Sequence, residues 1–122
     1  MAYFLNDAEP SVVVCAQGSE SWMQGLAQAA GGAKVLTLEE DGSGTLPALA
    51  QGQSGDFATA SSGKDDLAAI LYTSGTTGRS KGAMLSHGNL AANTQALHGY
   101  WGWRSDDVLL HMLPIFHVHG LF

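Results

Sequence analysis

At 122 residues the chain has room for one domain or less, and 45% hydrophobic against 13% charged residues supplies enough apolar surface for a core. A formal charge of −6, with five Lys and Arg residues in all, excludes the clustered cations that nucleic-acid phosphates or an anionic membrane would require. The single cysteine, Cys15, excludes a disulfide framework and, lying in the apolar run 12–16, reads as a buried, inert thiol in a reducing compartment.

The expected elements alternate between strand and helix. Residues 11–16, rich in β-branched side chains, read as a buried strand. A helix follows, with Ser19 as its cap, Trp22, Leu26, Ala29 and Ala30 on one face, Trp22 in the core, and Gly31 and Gly32 at its end. Residues 33–38 read as the next strand, and Glu39, Glu40 and Asp41 as a solvated turn. From 42 to 64 the chain is rich in Gly, Ser, Ala and Gln. It is expected to form a long surface connection open to proteolysis, with one helical turn at 46–49.

Residues 67–72 form a strand and 83–85 a returning one, after which Ser86 caps a helix whose Leu90, Leu97 and Trp101 share a packed face. His87 and His98 read as surface or structural. Beyond the turn at 104–107, residues 108–113 read as a further strand ended by Pro114. No segment reaches the roughly 20 apolar residues that a bilayer span needs, and the N-terminus lacks a basic region followed by an apolar run, so the expected location is the cytoplasm with no membrane partner. The apolar tract 108–122 stops without a polar cap or turn, which leads to the expectation of a fragment of a longer enzyme.

Between the two central strands lies Tyr72-Thr-Ser-Gly-Thr-Thr-Gly-Arg-Ser-Lys-Gly82. Gly75, Gly78 and Gly82 permit backbone angles at which successive N–H groups converge on an anion. Thr73, Ser74, Thr76 and Thr77 add hydroxyl donors, and Arg79 and Lys81 bring two of the chain's five cations to one place. The Walker pattern fails, because aligning Lys81 with its lysine puts Ser80 on the second glycine and Gly82 on the magnesium-binding hydroxyl. The dinucleotide pattern Gly-x-Gly-x-x-Gly fails on spacing. A plain surface turn would need neither the lysine nor so long a run.

Tyr-Thr-Ser-Gly-Thr-Thr-Gly-x-x-Lys-Gly resembles the signature loop of the adenylate-forming enzymes, the AMP-binding superfamily that includes acyl-CoA synthetases. Many members carry proline where this chain has Ser80. Two further segments resemble the same superfamily: Tyr3-Phe-Leu-Asn-Asp-Ala-Glu-Pro10 with the strand after it, and Leu113-Pro-Ile-Phe-His-Val-His-Gly-Leu121. Together the three run the length of the chain and look most like the malonate–CoA ligase branch.

The resemblance implies an α/β fold: part of the large N-terminal domain of an adenylate-forming enzyme over 1–122, with layered sheets and helices, the phosphate loop between two strands, and no C-terminal domain in the chain. It implies an ATP-dependent ligase in which a carboxylate, malonate in the narrow reading, attacks the α-phosphate to give an acyl-adenylate and pyrophosphate, after which CoA displaces AMP. ATP, magnesium and CoA are the implied cofactors and co-substrates. The implied nucleotide-binding residues are Thr73, Ser74, Gly75, Thr76, Thr77, Gly78 and Lys81, with Lys81 and Thr76 catalytic. Phe116 and His117 are the implied substrate-pocket residues, with His119 less so.

Read without the resemblance, the histidines are those of a core edge. A zinc site from His111, His117 and His119 lacks any Cys or carboxylate, and no metal ligand is assigned. The family's magnesium-binding glutamate, ribose-binding aspartate and C-terminal lysine lie downstream of the matched segments, so the 122 residues alone are expected to be inactive. Alternatives are an adenylate-forming enzyme that uses another acid or a carrier-protein acceptor, and an inactive truncated product.

Overall fold

The computed structural model describes residues 1–73 and 78–122 and divides into two compact units, Met1–Ala58 and Thr59–Phe122. The first holds helix α1 (Ala2–Ala8), strand β1 (Val12–Cys15), helix α2 (Glu20–Ala29), strand β2 (Lys34–Thr37) and helix α3 (Thr45–Ala50). β1 and β2 run parallel, Val12 opposite Lys34 and Cys15 opposite Thr37. A parallel pair needs a crossover, and α2 supplies it.

The core of this unit is Leu5, Met23, Ala27 and Leu36. The face of α2 that is buried is therefore 23, 26, 27 and 30, one position round from the expected 22, 26, 29 and 30. Trp22 is 48% exposed, a correction to its placement in the core. Ala27, at 1% exposure, allows the helix to lie close to β2, an approach the indole could not make. Ser19 stands at the N-cap of α2 without a side-chain hydrogen bond. Gly31 and Gly32 take positive φ, and the Gly32 N–H donates to the Ala27 carbonyl, the six-to-one bond of a Schellman end. Cys15 is half-buried rather than buried.

One polar residue, Thr37, is buried in this unit, at 2% exposure. Its backbone N–H donates to Thr45 Oγ1 at 2.8 Å, and the Thr45 N–H donates back to Thr37 Oγ1 at 2.9 Å. Between them Gly44 has φ 132°, and a Cβ there would run into the Thr37 carbonyl.

The second unit holds strand β3 (Leu67–Thr73), strand β4 (Lys81–Ser86), helix α4 (His87–Trp101) and the short helix α5 (Val118–Leu121). β3 and β4 are antiparallel, with a register shift between Leu67 and Ala69. Ser86 caps α4 as expected, and Asn89 completes a capping box: the Asn89 N–H donates to Ser86 Oγ, and the Ser86 N–H donates to Asn89 Oδ1. Segment 63–66 is tied to the start of α4 by the Gly88 N–H on the Lys64 carbonyl and the His87 N–H on the Asp66 carbonyl. Gly88 is required there, since a Cβ would come within 2.8 Å of that Lys64 oxygen.

Two expectations fail in this unit. Residues 108–113 form no strand: among the described residues none pairs with them, and the segment stands exposed, its backbone free to bond to water in place of a ladder. Trp101 is 62% exposed and packs edge-on against Trp103 at 5.9 Å, while Leu90 and Leu97 on the same helix are half-buried. His87 and His98 are exposed. No helix among the described residues is long and apolar enough to cross a membrane.

Candidate functional site

The signature run begins where β3 ends and finishes where β4 begins. Thr73 and Lys81 are register partners at the open end of the ladder, so they flank the connection from its two sides. Both side chains are exposed there, and residues opposite one another in an antiparallel pair point to the same face. A hydroxyl and an ammonium are thus presented together at the mouth of the loop. Of the expected phosphate-binding set, Thr73 ends β3, Lys81 begins β4 and Gly78 lies in the connection between them; Ser74, Gly75, Thr76 and Thr77 lie outside the described residues.

The two described glycines of the run do different work. Gly78 has φ 85°, the left-handed conformation expected of a loop that turns its amides toward an anion. Gly82 has no positive φ and is an ordinary strand residue of β4 opposite Tyr72, so its reason is steric, not conformational. The joining of two strands by the loop also differs from a Walker site, where the strand runs into a helix whose N-terminus takes the phosphate.

Further along, α4, the end of β4 and the segment after α4 line two apolar cavities that are open to solvent. One, of about 570 Å³, is lined by Leu97, Trp101, Trp103, Leu110, His119 and Phe122 among others. The other, of about 340 Å³, lies against Leu85, Asn89, Leu90, Val118 and His119. Leu85 is four residues from Lys81, roughly 13 Å along β4 at strand rise.

Phe116 is 90% exposed, and neither it nor His117 lines either cavity. His117 instead accepts the His119 N–H on Nδ1 at 3.3 Å, with the two rings 5.1 Å apart. His119 is the histidine that faces both cavities. A Cβ at Gly120 would collide with the Pro114 carbonyl, so the glycine lets the chain fold tightly over 114–120, with Phe116 at the exposed tip and His119, itself exposed, beside the two cavities. Among the described residues no cluster of three or more His, Cys, Asp or Glu side chains is placed to hold a metal.

The sequence profile of the family described as AMP-binding enzyme matches residues 1–122. The mouse (Mus musculus) mitochondrial malonate–CoA ligase ACSF3 is 40% identical over 125 aligned positions, which cover 99% of this chain and 20% of that protein. Among solved structures, apo MatB from Rhodopseudomonas palustris superposes with a TM-score of 0.92 at 55% identity, and ATP-bound MatB from the same organism with 0.91 at 57%. Each match covers 99% of this chain and 24% of the MatB chain, so the chain spans about a fifth to a quarter of the length of these relatives.

Proposed function

The chain belongs to the AMP-binding enzyme family, and from that premise we propose that it is part of the N-terminal domain of an ATP-dependent, AMP-forming acid–CoA ligase whose acid is malonate. The observation that carries this reading is the pairing of Thr73 with Lys81 across the mouth of the loop, within a chain that resembles malonate–CoA ligases end to end. The remaining parts of the machinery, including the C-terminal domain, belong to sequence outside these residues.

In the first step a malonate oxygen bonds to the α-phosphorus of ATP as the bond to the bridging oxygen breaks, giving malonyl-adenylate and pyrophosphate. Negative charge builds on the departing β- and γ-phosphates. To that charge we assign the Lys81 ammonium, the Thr73 hydroxyl and the Gly78 amide, together with Ser74, Gly75, Thr76 and Thr77, which lie outside the described residues. Donors fixed in advance lower such a barrier because they do not have to reorganise when the charge arrives. In the second step the CoA thiol attacks the acyl carbon, AMP leaves, and the thiol proton passes to solvent. The acyl group is assigned to the apolar cavities beside His119, with Phe116 and His117 on the adjoining turn outside their lining.

Magnesium accompanies ATP in this proposal as a counter-ion to the phosphates. The described residues offer it no carboxylate cluster, so no step is routed through it. We place the enzyme in the cytoplasm without nucleic-acid or membrane partners, a reading supported by its charge and by the lack of a membrane-length apolar helix among the described residues. The mouse relative is named for mitochondria, and fractionation of cells expressing the tagged full-length gene product tests the assignment.

The reading is tested on the full-length gene product with ATP, magnesium, CoA and a panel of short mono- and dicarboxylic acids, following AMP and thioester. Malonate-dependent thioester well above that with acetate or methylmalonate is expected. Activity with another acid alone would remove the substrate, and absence of AMP with every acid would remove the activity.

A further inference from the structure

Gly82 faces Tyr72 across the ladder, and the side of Gly82 that lacks a side chain is occupied from β3. A Cβ built on Gly82 would stand 2.8 Å from Ile70 Cγ2 and 3.3 Å from both Cε1 and Cζ of the Tyr72 ring. The first distance is one that real Cβ atoms do not sustain. The second is tight enough that the half-buried Tyr72 ring would have to give way. Ile70 and Tyr72 are two apart on β3 and share a face, so both close onto the same bare position of β4. An aromatic ring laid over a cross-strand glycine substitutes for the missing side chain and pins the register of the pair.

That position is one residue from Lys81, on the opposite face of the strand. We propose that Gly82 is a positioning residue of the phosphate loop. By admitting the Tyr72 ring and the Ile70 methyl it keeps the ends of β3 and β4 at ladder spacing, and so keeps Thr73 and Lys81 opposite each other at the loop's mouth. Any side chain at 82 has to push β4 away from β3 or turn the ring out, and either movement carries the Lys81 ammonium away from the phosphates. A displacement of about 1 Å in such a group is enough to cost up to about a hundredfold in rate. The proposal rests on the reading of Lys81 as a phosphate contact.

The test uses Gly82→Ala, Ile70→Leu and the double variant in the full-length gene product. Leucine removes the offending Cγ2 methyl while keeping the residue's volume. Gly82→Ala is expected to lower kcat/KM for ATP by about tenfold or more, to leave KM for the acid within about twofold, and to be restored by at least half when Ile70→Leu is added. Ile70→Leu alone should behave as the parent protein. Thermal unfolding is followed in parallel, and if Gly82→Ala does not fold, the double variant is compared with Ile70→Leu alone. Unchanged kcat/KM for ATP in Gly82→Ala, equal loss for ATP and acid, or no rescue by Ile70→Leu would overturn the proposal. Lys81→Ala serves as the separate control: if it too leaves AMP formation intact, the phosphate-loop reading has failed, whereas if it alone is impaired only the role of Gly82 has failed.

Discussion

Thr73 and Lys81 are partners in the last register pair of the β3–β4 ladder, so the residues that begin and end the signature loop are fixed to each other by backbone geometry before any ligand arrives. A lysine on a free loop would have to be ordered on binding, at a cost in side-chain and backbone entropy. Here the strand carries that ordering, and the exposed ammonium projects from a rigid base.

Lys81→Ala therefore removes a pre-placed cation and leaves the ladder intact. In the full-length gene product kcat/KM for ATP in adenylate formation is expected to fall by about 10²–10³, the scale seen when one pre-organised donor is lost from a charged transition state. KM for the acid should change little. Pyrophosphate exchange and AMP release measure both, and an unchanged rate would take Lys81 out of the mechanism.

The hydroxyl pair in the first unit predicts a stability effect. Replacing Thr37 by Val keeps the shape but leaves the Thr45 N–H without its acceptor in a part-buried place. A loss of about 1–3 kcal/mol is expected, as for other stranded donors. Thr37→Ser, which keeps the oxygen, should lose less. Denaturant unfolding of the two variants compares them, and a Thr37→Val protein as stable as the parent, with the loss falling on Thr37→Ser instead, would mean that the methyl group matters and the hydrogen bond does not.

The sequence made the order of elements legible wherever local chemistry and period agreed: β-branched residues at 12–14, paired glycines after α2, and Ser86 before α4. It placed the phosphate loop between two strands for the same reason, since the run is flanked by two stretches with strand character. It misplaced Trp22 and Trp101 because helical spacing identifies a face but not its exact rotation, and close packing against a sheet selects alanine over indole. It misread 108–113 because an apolar run says nothing about whether a partner strand exists. The steric demands on Gly82, Gly88 and Gly120 were illegible, since each is set by a residue elsewhere in the chain.

Asp41 gives a pH signature. The Ser43 hydroxyl and N–H both bond its carboxylate, which holds its pKa below the ordinary aspartate value. A depressed carboxylate contributes to the folded turn above its unfolded pKa, and the contribution is lost as pH falls through the folded value. The turn at 39–43 should therefore loosen only in acid, below the ordinary aspartate range, and Asp41→Asn should remove the transition. The Ser43 amide shift followed by NMR through an acid titration measures it. A midpoint at or above the ordinary value would contradict the bonding described.

Proteolysis should begin at Phe57. The side chain is 85% exposed, residues 51–63 are exposed throughout, and the boundary between the two units falls directly after Ala58. A protease needs several residues of extended backbone, which helices and tight turns withhold. Tyr100 is as exposed but sits in α4, and Phe116 occupies the hydrogen-bonded turn 114–117, so chymotrypsin should take both later. Lys64 is protected from trypsin in the same way, its carbonyl held by the Gly88 N–H at 2.7 Å. Mass spectrometry of a brief chymotrypsin digest should show, within these 122 residues, cleavage after Phe57 first. An earlier cut at Tyr100 or Phe116 would mean that α4 or the 114–120 turn opens more readily than the connection between the units.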